Sequence, residues 1–292
     1  MAVQDLPDRS LRLRALRRRL ARAPWTALIE IAARGGYLAR GAVHVSVGVI
    51  ALLAALDLAP RAEGVVGALE AWSRWPAGLL LMWLIGVGLY GFAGWRALQA
   101  VFDVDRQGRA PRAVMARLGQ AISGGAYVAM GLSVFGLLDA LEDLGEADDR
   151  EATREAVAAA LDLPFGSWLV IAAGVFIAGA ALASMARAGL DHFTRHLGCE
   201  QETRTWLGTL ARVGYLGRGL ALLPVGLLVI SAGLGARASK AEGLGGALDA
   251  LERQPAGPAA LGFAAVGLVA FGLFAVAEGW LRPVHPERAL DS

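Results

Sequence analysis

Six apolar runs, each long enough to cross a lipid bilayer, constrain this chain more than any other feature of its sequence. They lie at roughly 38–58, 77–101, 118–138, 164–186, 213–234 and 255–281. A membrane-spanning helix needs about 20 apolar residues, and lipid offers no partner to an unpaired backbone group, so spans of this length are helices. The chain is 56% hydrophobic and only 18% charged, whereas soluble domains carry about 25% charged residues. The sequence therefore predicts an all-α, polytopic membrane protein with six transmembrane helices.

A short motif is present twice in the chain, and once more in a looser form. Its two complete copies consist of Arg34, Gly36, Tyr37, Arg40, Gly41 and Gly48, and of Arg212, Gly214, Tyr215, Arg218, Gly219 and Gly226. The middle copy keeps Arg117, Gly119, Gly124 and Gly131, but it has Ser123 where the others have their second arginine. Each copy opens an apolar run, which indicates a repeated unit of membrane structure.

Three helical hairpins account for these repeats. A Pro-x-Gly sequence starts the second apolar run of each unit, with its glycine at Gly78, Gly166 and Gly257, and proline suits the first turn of a helix. We expect hairpins at 33–110, 111–198 and 199–282, between a basic amphipathic arm at 1–32 and a cytoplasmic tail at 283–292. Each unit begins and ends on the same side, so the repeats are parallel, and three of them could close into a pseudo-threefold ring.

The outer segments of the hairpins are predicted to hold short helices. Leu244, Leu248 and Leu251 fall at helical spacing in the third unit, which indicates an amphipathic helix on the outer surface. The middle segment, at 142–162, is longer and acidic. A solvated face is the favoured interpretation of its charges, and calcium or cation binding is the alternative.

The distribution of positive charge predicts the orientation. With a cytoplasmic amino terminus, 21 of the 28 lysines and arginines lie on the cytoplasmic side. The positive-inside rule then places both termini in the cytoplasm. The arginine-rich stretch at 12–22 is interpreted as an amphipathic helix on the anionic cytoplasmic lipid surface, with a mitochondrial presequence as the alternative. Because the arginines are spread over juxtamembrane loops, we expect lipid headgroups as partners, and not nucleic acid.

Together, the doubled motif and the Pro-x-Gly hairpins resemble a bacterial membrane family known as domain of unknown function 1206. Its members have three tandem two-helix repeats that open with Ala-Arg-x-Gly-Tyr-x-Ala-Arg-Gly, which corresponds here to 33–41 and, with Gly217 for the second alanine, 211–219. The resemblance covers about 30–282. It implies a six-helix protein of the bacterial cytoplasmic membrane, and it implies no activity.

Two interpretations of the motif arginines and tyrosines remain open. In the first, Arg34, Tyr37, Arg40, Arg212, Tyr215 and Arg218 all anchor the helices at the cytoplasmic interface. In the second, Arg40 and Arg218 face the bundle axis at equivalent points and bind an anionic headgroup or solute, since the planar guanidinium suits phosphate and carboxylate.

Three more ionisable residues, His44, Arg187 and Glu278, lie within or directly at the end of the predicted spans. Glu278 is near the inner end of the sixth span, and Gln99 and Arg187 are its counterparts in the other units. We expect an ion pair between Arg187 and Glu278, with a proton relay as the alternative. His44 lies about two turns into the first span, where a hydrogen-bonded packing residue is favoured over a titrating or cation-binding group.

The sequence holds no strong signature of catalysis or of a cofactor. His192, His196 and Cys199 are spaced as one face of a helix would place zinc ligands, but an interfacial loop helix is the favoured interpretation. Nucleophile-elbow, phosphate-loop and His-Glu-x-x-His patterns are missing from the sequence. We therefore expect a non-enzymatic protein without a cofactor, either a carrier or channel for a small anionic solute or lipid, or a scaffold that organises lipid or a partner protein.

Overall fold

The computed structural model describes residues 24–59, 78–102, 110–142, 149–189 and 201–281, together with single positions between 62 and 71. These residues contain helices and no strand. The α-helices are α1 (Pro24–Ala55), α2 (Gly78–Phe102), α3 (Pro111–Glu142), α4 (Asp149–Leu161), α5 (Gly166–Gly189), α6 (Gln201–Leu234), α7 (Leu244–Glu252) and α8 (Gly257–Leu281). A short 3-10 helix, Ala238–Lys240, lies between α6 and α7.

Five of the helices are long and apolar enough to cross a membrane, namely α1, α2, α5, α6 and α8. They correspond to five of the six predicted spans, with α1 ending at Ala55, three residues before the end of the first predicted run. The other predicted span, 118–138, lies within α3, which has 32 residues but whose last side chains are outside the described part of the chain. Many large apolar side chains on these helices are exposed, among them Leu84 and Val175, as expected of a surface that contacts lipid.

The first helix of each hairpin begins well before its apolar run. Helix α1 starts at Pro24, inside the predicted amino-terminal arm, and α6 starts at Gln201. An ion pair at i,i+4 spacing, Glu30 with Arg34, lies on the early part of α1, and such pairs support exposed helical turns. Polar turns therefore extend these helices past the apolar core. The stretch at 12–22 lies outside the described residues.

The long helices pack in the order α3, α2, α1, α8, α6, α5, each against the next. Tyr127 of α3 lies within electrostatic range of both Arg40 of α1 and Arg218 of α6, so this row curves around a common centre. In the described residues no comparable packing joins α3 to α5. The arrangement is a ring of helices that is interrupted within the second hairpin.

Equivalent glycines make equivalent contacts between neighbouring hairpins. Gly41, Gly124 and Gly219 each place the first helix of a hairpin against the second helix of another. A Cβ added there would approach a backbone carbonyl oxygen in each case: Gly272 at 2.8 Å for Gly41, Ala93 at 3.4 Å for Gly124, and Ala181 at 2.8 Å for Gly219. Close approach at small residues is a usual means of packing membrane helices.

Inside the hairpins the middle repeat differs from the other two. Gly36 lies directly against the backbone of Phe92, and a Cβ added to Gly214 would be 2.6 Å from the backbone nitrogen of Phe271. A Cβ added to Gly119, the equivalent glycine, would meet nothing within 4 Å. The middle motif has therefore kept its glycine although the two helices of its hairpin do not pack together at that point.

The outer helices α4 and α7 pack beside the ends of α5 and α6. The helix predicted around Leu244, Leu248 and Leu251 is present as α7, and its Leu248 is fully buried. Arg154 Nη2 of α4 lies 2.6 Å from Glu242 Oε1. This contact connects the second outer segment to the third, and most of the first, 60–77, lies outside the described residues.

Candidate functional site

Arg40 points into the centre of the helix ring and not toward the interface. Its side chain is 5% exposed, and its Nη2 lies 3.2 Å from Oε2 of Glu278 on α8. A buried guanidinium needs such a partner because the loss of water is costly for a charge. The interpretation of Arg40 as an interfacial anchor is therefore wrong.

Three aromatic rings surround the Arg40 guanidinium. Its Cζ lies 4.9 Å from the ring centroid of Phe271, 5.2 Å from that of Phe92 and 5.5 Å from that of Tyr37. Cations are attracted to aromatic faces at such distances, and more strongly where water is absent. These rings hold the charge in place without neutralising it.

Arg218, the equivalent arginine of the third repeat, also points inward. Its Nη1 donates a hydrogen bond of 2.8 Å to Oγ of Ser184 on α5. Its Cζ lies 5.0 Å from the centroid of Phe271, the ring that also contacts Arg40. The two motif arginines therefore meet around one phenylalanine, as the second interpretation of the motif expects.

Positive charge exceeds negative charge in this cluster. Arg40 and Arg187 lie in the electrostatic surroundings of Arg218 together with Tyr127 and Tyr215, and the hydrogen-bond acceptor of Arg218 is a hydroxyl and not a carboxylate. Within the described residues, the Nε atoms of Arg40 and Arg218 are both buried without a hydrogen-bond partner. We call this set, Arg40, Arg218, Glu278, Phe271 and Ser184, the central cluster.

Among the other motif residues, only the tyrosines reach the central cluster. Tyr37 is buried and packs edge-on against Phe92 at 5.0 Å, and Tyr215 packs against Phe271 at 5.2 Å. Both lie inside the helix ring, so the interpretation of Tyr37 as an interfacial belt residue is wrong. Arg212 is exposed on α6.

Arg34 is more exposed than Arg40 and contacts the backbone of α8 without binding a side chain of the central cluster. It binds Glu30 at 2.7 Å and donates hydrogen bonds to the backbone carbonyls of Gly279 and Trp280. Both side chains of the ion pair are more than a third exposed. The placement of Arg34 matches the anchoring interpretation, in contrast to that of Arg40.

The Arg34→Ala variant should lose less stability than Arg40→Ala. Exposed ion pairs contribute about 0–1 kcal/mol and a partly exposed hydrogen bond to a carbonyl about 1 kcal/mol or less, so we expect the free energy of unfolding to fall by about 1–2 kcal/mol. Denaturation of the purified protein in neutral detergent measures this change. A loss as large as that expected for Arg40→Ala would contradict the account, because it would show that the buried arginine does not contribute more stability than the exposed one.

The remaining intramembrane candidates have separate roles. His44 Nδ1 lies 2.8 Å from the carbonyl oxygen of Arg40, and its ring is 4.9 Å from that of Phe271, which is the geometry of a hydrogen-bonded packing residue. Glu278 binds Arg40, the partner that the sequence did not predict, and Arg187 is exposed. Helix periodicity alone could not show that α8 packs on α1.

Sequence reasoning missed Phe92, Phe271, Tyr127 and Ser184. A signal was available for the first two, because Phe92 follows Gly78 by the same number of residues as Phe271 follows Gly257. The equivalent position after Gly166 is Ala180. Ser184 carries no repeat signal that marks it as a partner for arginine. His192, His196 and Cys199 lie outside the described residues.

Comparison with known proteins gives the family. The family model described as Domain of Unknown Function (DUF1206) matches the chain three times, at residues 35–103, 118–191 and 213–282. The chain belongs to this family. Each DUF1206 match contains one copy of the glycine-containing motif without its first arginine, and one Pro-x-Gly, so the chain contains three tandem repeats of the DUF1206 unit.

A protein of similar sequence occurs in Bacillus subtilis (strain 168). The chain is 29% identical over 265 residues to "Uncharacterized protein YxxB" of that organism, and the match covers 88% of this chain and 91% of the relative. No solved structure matches the chain. The DUF1206 description names no activity, so any function must be argued from the central cluster.

Proposed function

We propose that this DUF1206 protein is a non-enzymatic carrier that binds a small anion, or the anionic headgroup of a lipid, at Arg40 and Arg218. One observation supports this proposal above all others. Arg218 points inward beside Arg40, with which it shares the Phe271 ring, and its side chain donates a hydrogen bond to the neutral hydroxyl of Ser184 and not to a carboxylate. An anion with phosphate or carboxylate chemistry would balance that charge.

The energetic argument favours a ligand at this point. An arginine within a membrane span is unfavourable, by about 2.5–3.5 kcal/mol at the bilayer centre and by less near its edge, and removal of a charge from water without a counter-charge adds to that cost. Ser184 supplies one neutral hydroxyl to Arg218, which satisfies a hydrogen bond and leaves the net charge unchanged. The guanidinium can bind phosphate or carboxylate through two parallel N–H donors, so an anion is the better partner.

The packing of the centre favours a carrier over an open channel. Phe271 fills the space between the guanidiniums, since both lie within 5.0 Å of its ring. A permanently open pore would require this position to be wet. A site that is occupied and vacated in turn needs only the displacement of side chains around the ring.

The membrane arrangement that we propose has six spans, with both termini in the cytoplasm. Helix α3 is long enough for the sixth span at 32 residues, and the charge bias supports the orientation. In this arrangement the hairpins form a pseudo-threefold ring, supported by the equivalent contacts of Gly41, Gly124 and Gly219. The membrane is the bacterial cytoplasmic membrane, where anionic headgroups contact the arginine-rich cytoplasmic face.

Reconstituted flux tests the proposal. Proteoliposomes would be assayed for movement of fluorescent phosphatidylglycerol between leaflets and for exchange of radiolabelled phosphate. We expect protein-dependent movement of one of these probes, and a decrease of about tenfold or more in Arg218→Gln. Arg34→Gln is the matched control, since Arg34 lies outside the central cluster, and it should retain the wild-type rate.

The alternative role, a scaffold, predicts the opposite result in the flux assay. A scaffold that organises lipid or a partner protein would move neither probe, and its behaviour in this assay would not depend on Arg218. Absence of protein-dependent flux for both probes, with correctly folded protein in the liposomes, would contradict the carrier proposal and favour the scaffold.

A further inference from the structure

The interruption between α3 and α5 exposes helix faces that are buried in the other two repeats. Ala126 of α3 is exposed, whereas the residues at the same repeat position, Val43 and Ala221, are 1% and 0% exposed. These three positions are fixed by the motif, since each follows its motif glycine, at 36, 119 and 214, by the same distance. The side of α3 that should meet a partner helix is uncovered.

The same is true of α5. Ala173 is exposed, whereas its equivalents Ile85 and Ala264 are 4% and 0% exposed. Gly179 on the same helix has nothing within 4 Å of an added Cβ. We call the uncovered faces, which carry Gly119 and Ala126 on α3 and Ala173, Gly179 and Ala180 on α5, the seam.

The central cluster is adjacent to the seam. Ser184, one turn from Ala180 on α5, accepts the hydrogen bond from Arg218. On the α3 side, Tyr127 follows Ala126 and packs edge-on against Phe92 at 4.7 Å. A molecule in the seam would therefore be next to the cations at the centre.

A further arginine lies on the seam face of α5. Arg187 occupies the repeat position of Gln99 and Glu278, which both point into the protein, with Gln99 only 1% exposed. Arg187 itself is exposed, yet it acts electrostatically on Arg218. Its side chain is accessible at the end of α5 that the charge bias places near the cytoplasm.

We infer that the anionic ligand is a membrane lipid, whose headgroup binds between Arg187 and Arg218 while an acyl chain lies in the seam. This inference rests on the proposed function, because it names the ligand class of the same arginines. The lipid would enter sideways from the bilayer through the interruption between α3 and α5. Its chain would cover Ala126 and Ala173, which the missing helix contact leaves exposed.

Charge and polarity together select this occupant. A lipid acyl chain matches the apolar seam, and a phosphate headgroup matches the arginines at its end. A helix from a second copy would cover the apolar faces but would bring no anion to Arg218. A free phosphate would satisfy the arginines and leave the seam uncovered. An anionic lipid is the one class among these that satisfies both parts.

The binding test uses the full chain in neutral detergent with three probes: phosphatidylglycerol, phosphatidylcholine and inorganic phosphate. Native mass spectrometry measures lipid binding and the oligomeric state, and equilibrium dialysis measures phosphate binding. Ala180→Phe is the main variant, because it introduces into the seam the residue that stands at the equivalent positions 92 and 271. Val175→Phe is the matched control, since Val175 and its equivalents Val87 and Val266 are 55%, 57% and 47% exposed.

We expect wild type to bind phosphatidylglycerol more tightly than phosphatidylcholine. Ala180→Phe should weaken phosphatidylglycerol binding by about tenfold or more. Because Phe92 and Phe271 at the equivalent positions lie against the guanidiniums, the phosphate control uses Ala173→Ile, which is about three turns from Ser184 and should also weaken phosphatidylglycerol binding while it changes the phosphate affinity by less than about twofold. Val175→Phe should leave both affinities unchanged. If Ala180→Phe does not fold, Ala173→Ile replaces it, because isoleucine is found at the equivalent position 85.

Several outcomes would overturn the inference and leave the proposed function intact. One is phosphate binding that depends on Arg218 while Ala180→Phe and Val175→Phe bind phosphatidylglycerol equally well. Another is a dimer that Ala180→Phe dissociates, which would mean that a second copy covers the seam. Failure of wild type to bind either phosphate or phosphatidylglycerol would instead contradict the proposed function, and the inference with it.

Discussion

Replacement of Arg40 by alanine should lower the free energy of unfolding by about 3–5 kcal/mol. The substitution leaves the carboxylate of Glu278, which is 13% exposed, without the guanidinium that lies 3.2 Å away. It also removes the cation from the rings of Tyr37, Phe92 and Phe271. Removing one partner of a buried ion pair is costly because the remaining charge stays buried. Denaturation in neutral detergent, compared with Arg34→Ala, measures the effect.

A double variant separates the cost of the buried carboxylate that has lost Arg40 from the loss of packing around the aromatic rings. Arg40→Leu combined with Glu278→Leu removes both charges, and we expect it to recover most of the stability lost in Arg40→Ala, because apolar residues often replace a buried ion pair without loss. A double variant as unstable as Arg40→Ala would show that the ring contacts, and not the ion pair, hold this part of the structure.

Replacement of Gly214 by leucine should destabilise the protein by about 3 kcal/mol or more. A Cβ at this position would lie 2.6 Å from the backbone nitrogen of Phe271, so α6 and α8 would have to separate. The same substitution at Gly119 should stay within about 1 kcal/mol of wild type, since nothing lies near an added Cβ there and leucine favours helix. The thermal midpoints of the two purified variants provide the comparison.

This pair of variants also tests whether the second hairpin is open. The two glycines occupy the same position in the DUF1206 repeat, so sequence similarity alone predicts equal effects. Equal and large losses for Gly119→Leu and Gly214→Leu would contradict an interruption between α3 and α5.

The helical architecture could be predicted because it depends on properties local to each segment. The apolar runs and the Pro-x-Gly sequences gave the second helices closely, so that the predicted run at 77–101 is found as Gly78–Phe102. The first helices were predicted too short, because hydropathy does not detect polar helical turns such as those around Glu30 and Arg34. Those turns are stabilised by side-chain pairing and not by lipid.

The central cluster could be predicted only in part. The motif pointed to Arg40 and Arg218 because their positions repeat, but it could not decide between the interface and the centre. That decision depends on which helices are neighbours, and the contact of α1 with α8 brings Glu278 to Arg40. The expected Arg187–Glu278 pair assumed a different neighbour for α8.

The second repeat departs from the symmetry of the other two, and single residues of its sequence differ at the matching positions. This repeat has Ser123 in place of arginine and Ala180 in place of phenylalanine, and it is the repeat whose two helices do not pack together. The missing side chains would have filled the space between them. The looser middle motif therefore coincides with the one interruption in the ring of described helices.

The structure of the full chain in nanodiscs that contain phosphatidylglycerol, determined by electron cryo-microscopy, tests the central claim most directly. Our account predicts density for an anionic phosphate group within hydrogen-bonding distance of the Arg218 guanidinium, with α3 and α5 still apart. A map in which Arg218 contacts only Ser184 and aromatic rings, with no anion near it in saturating anionic lipid, would contradict the account.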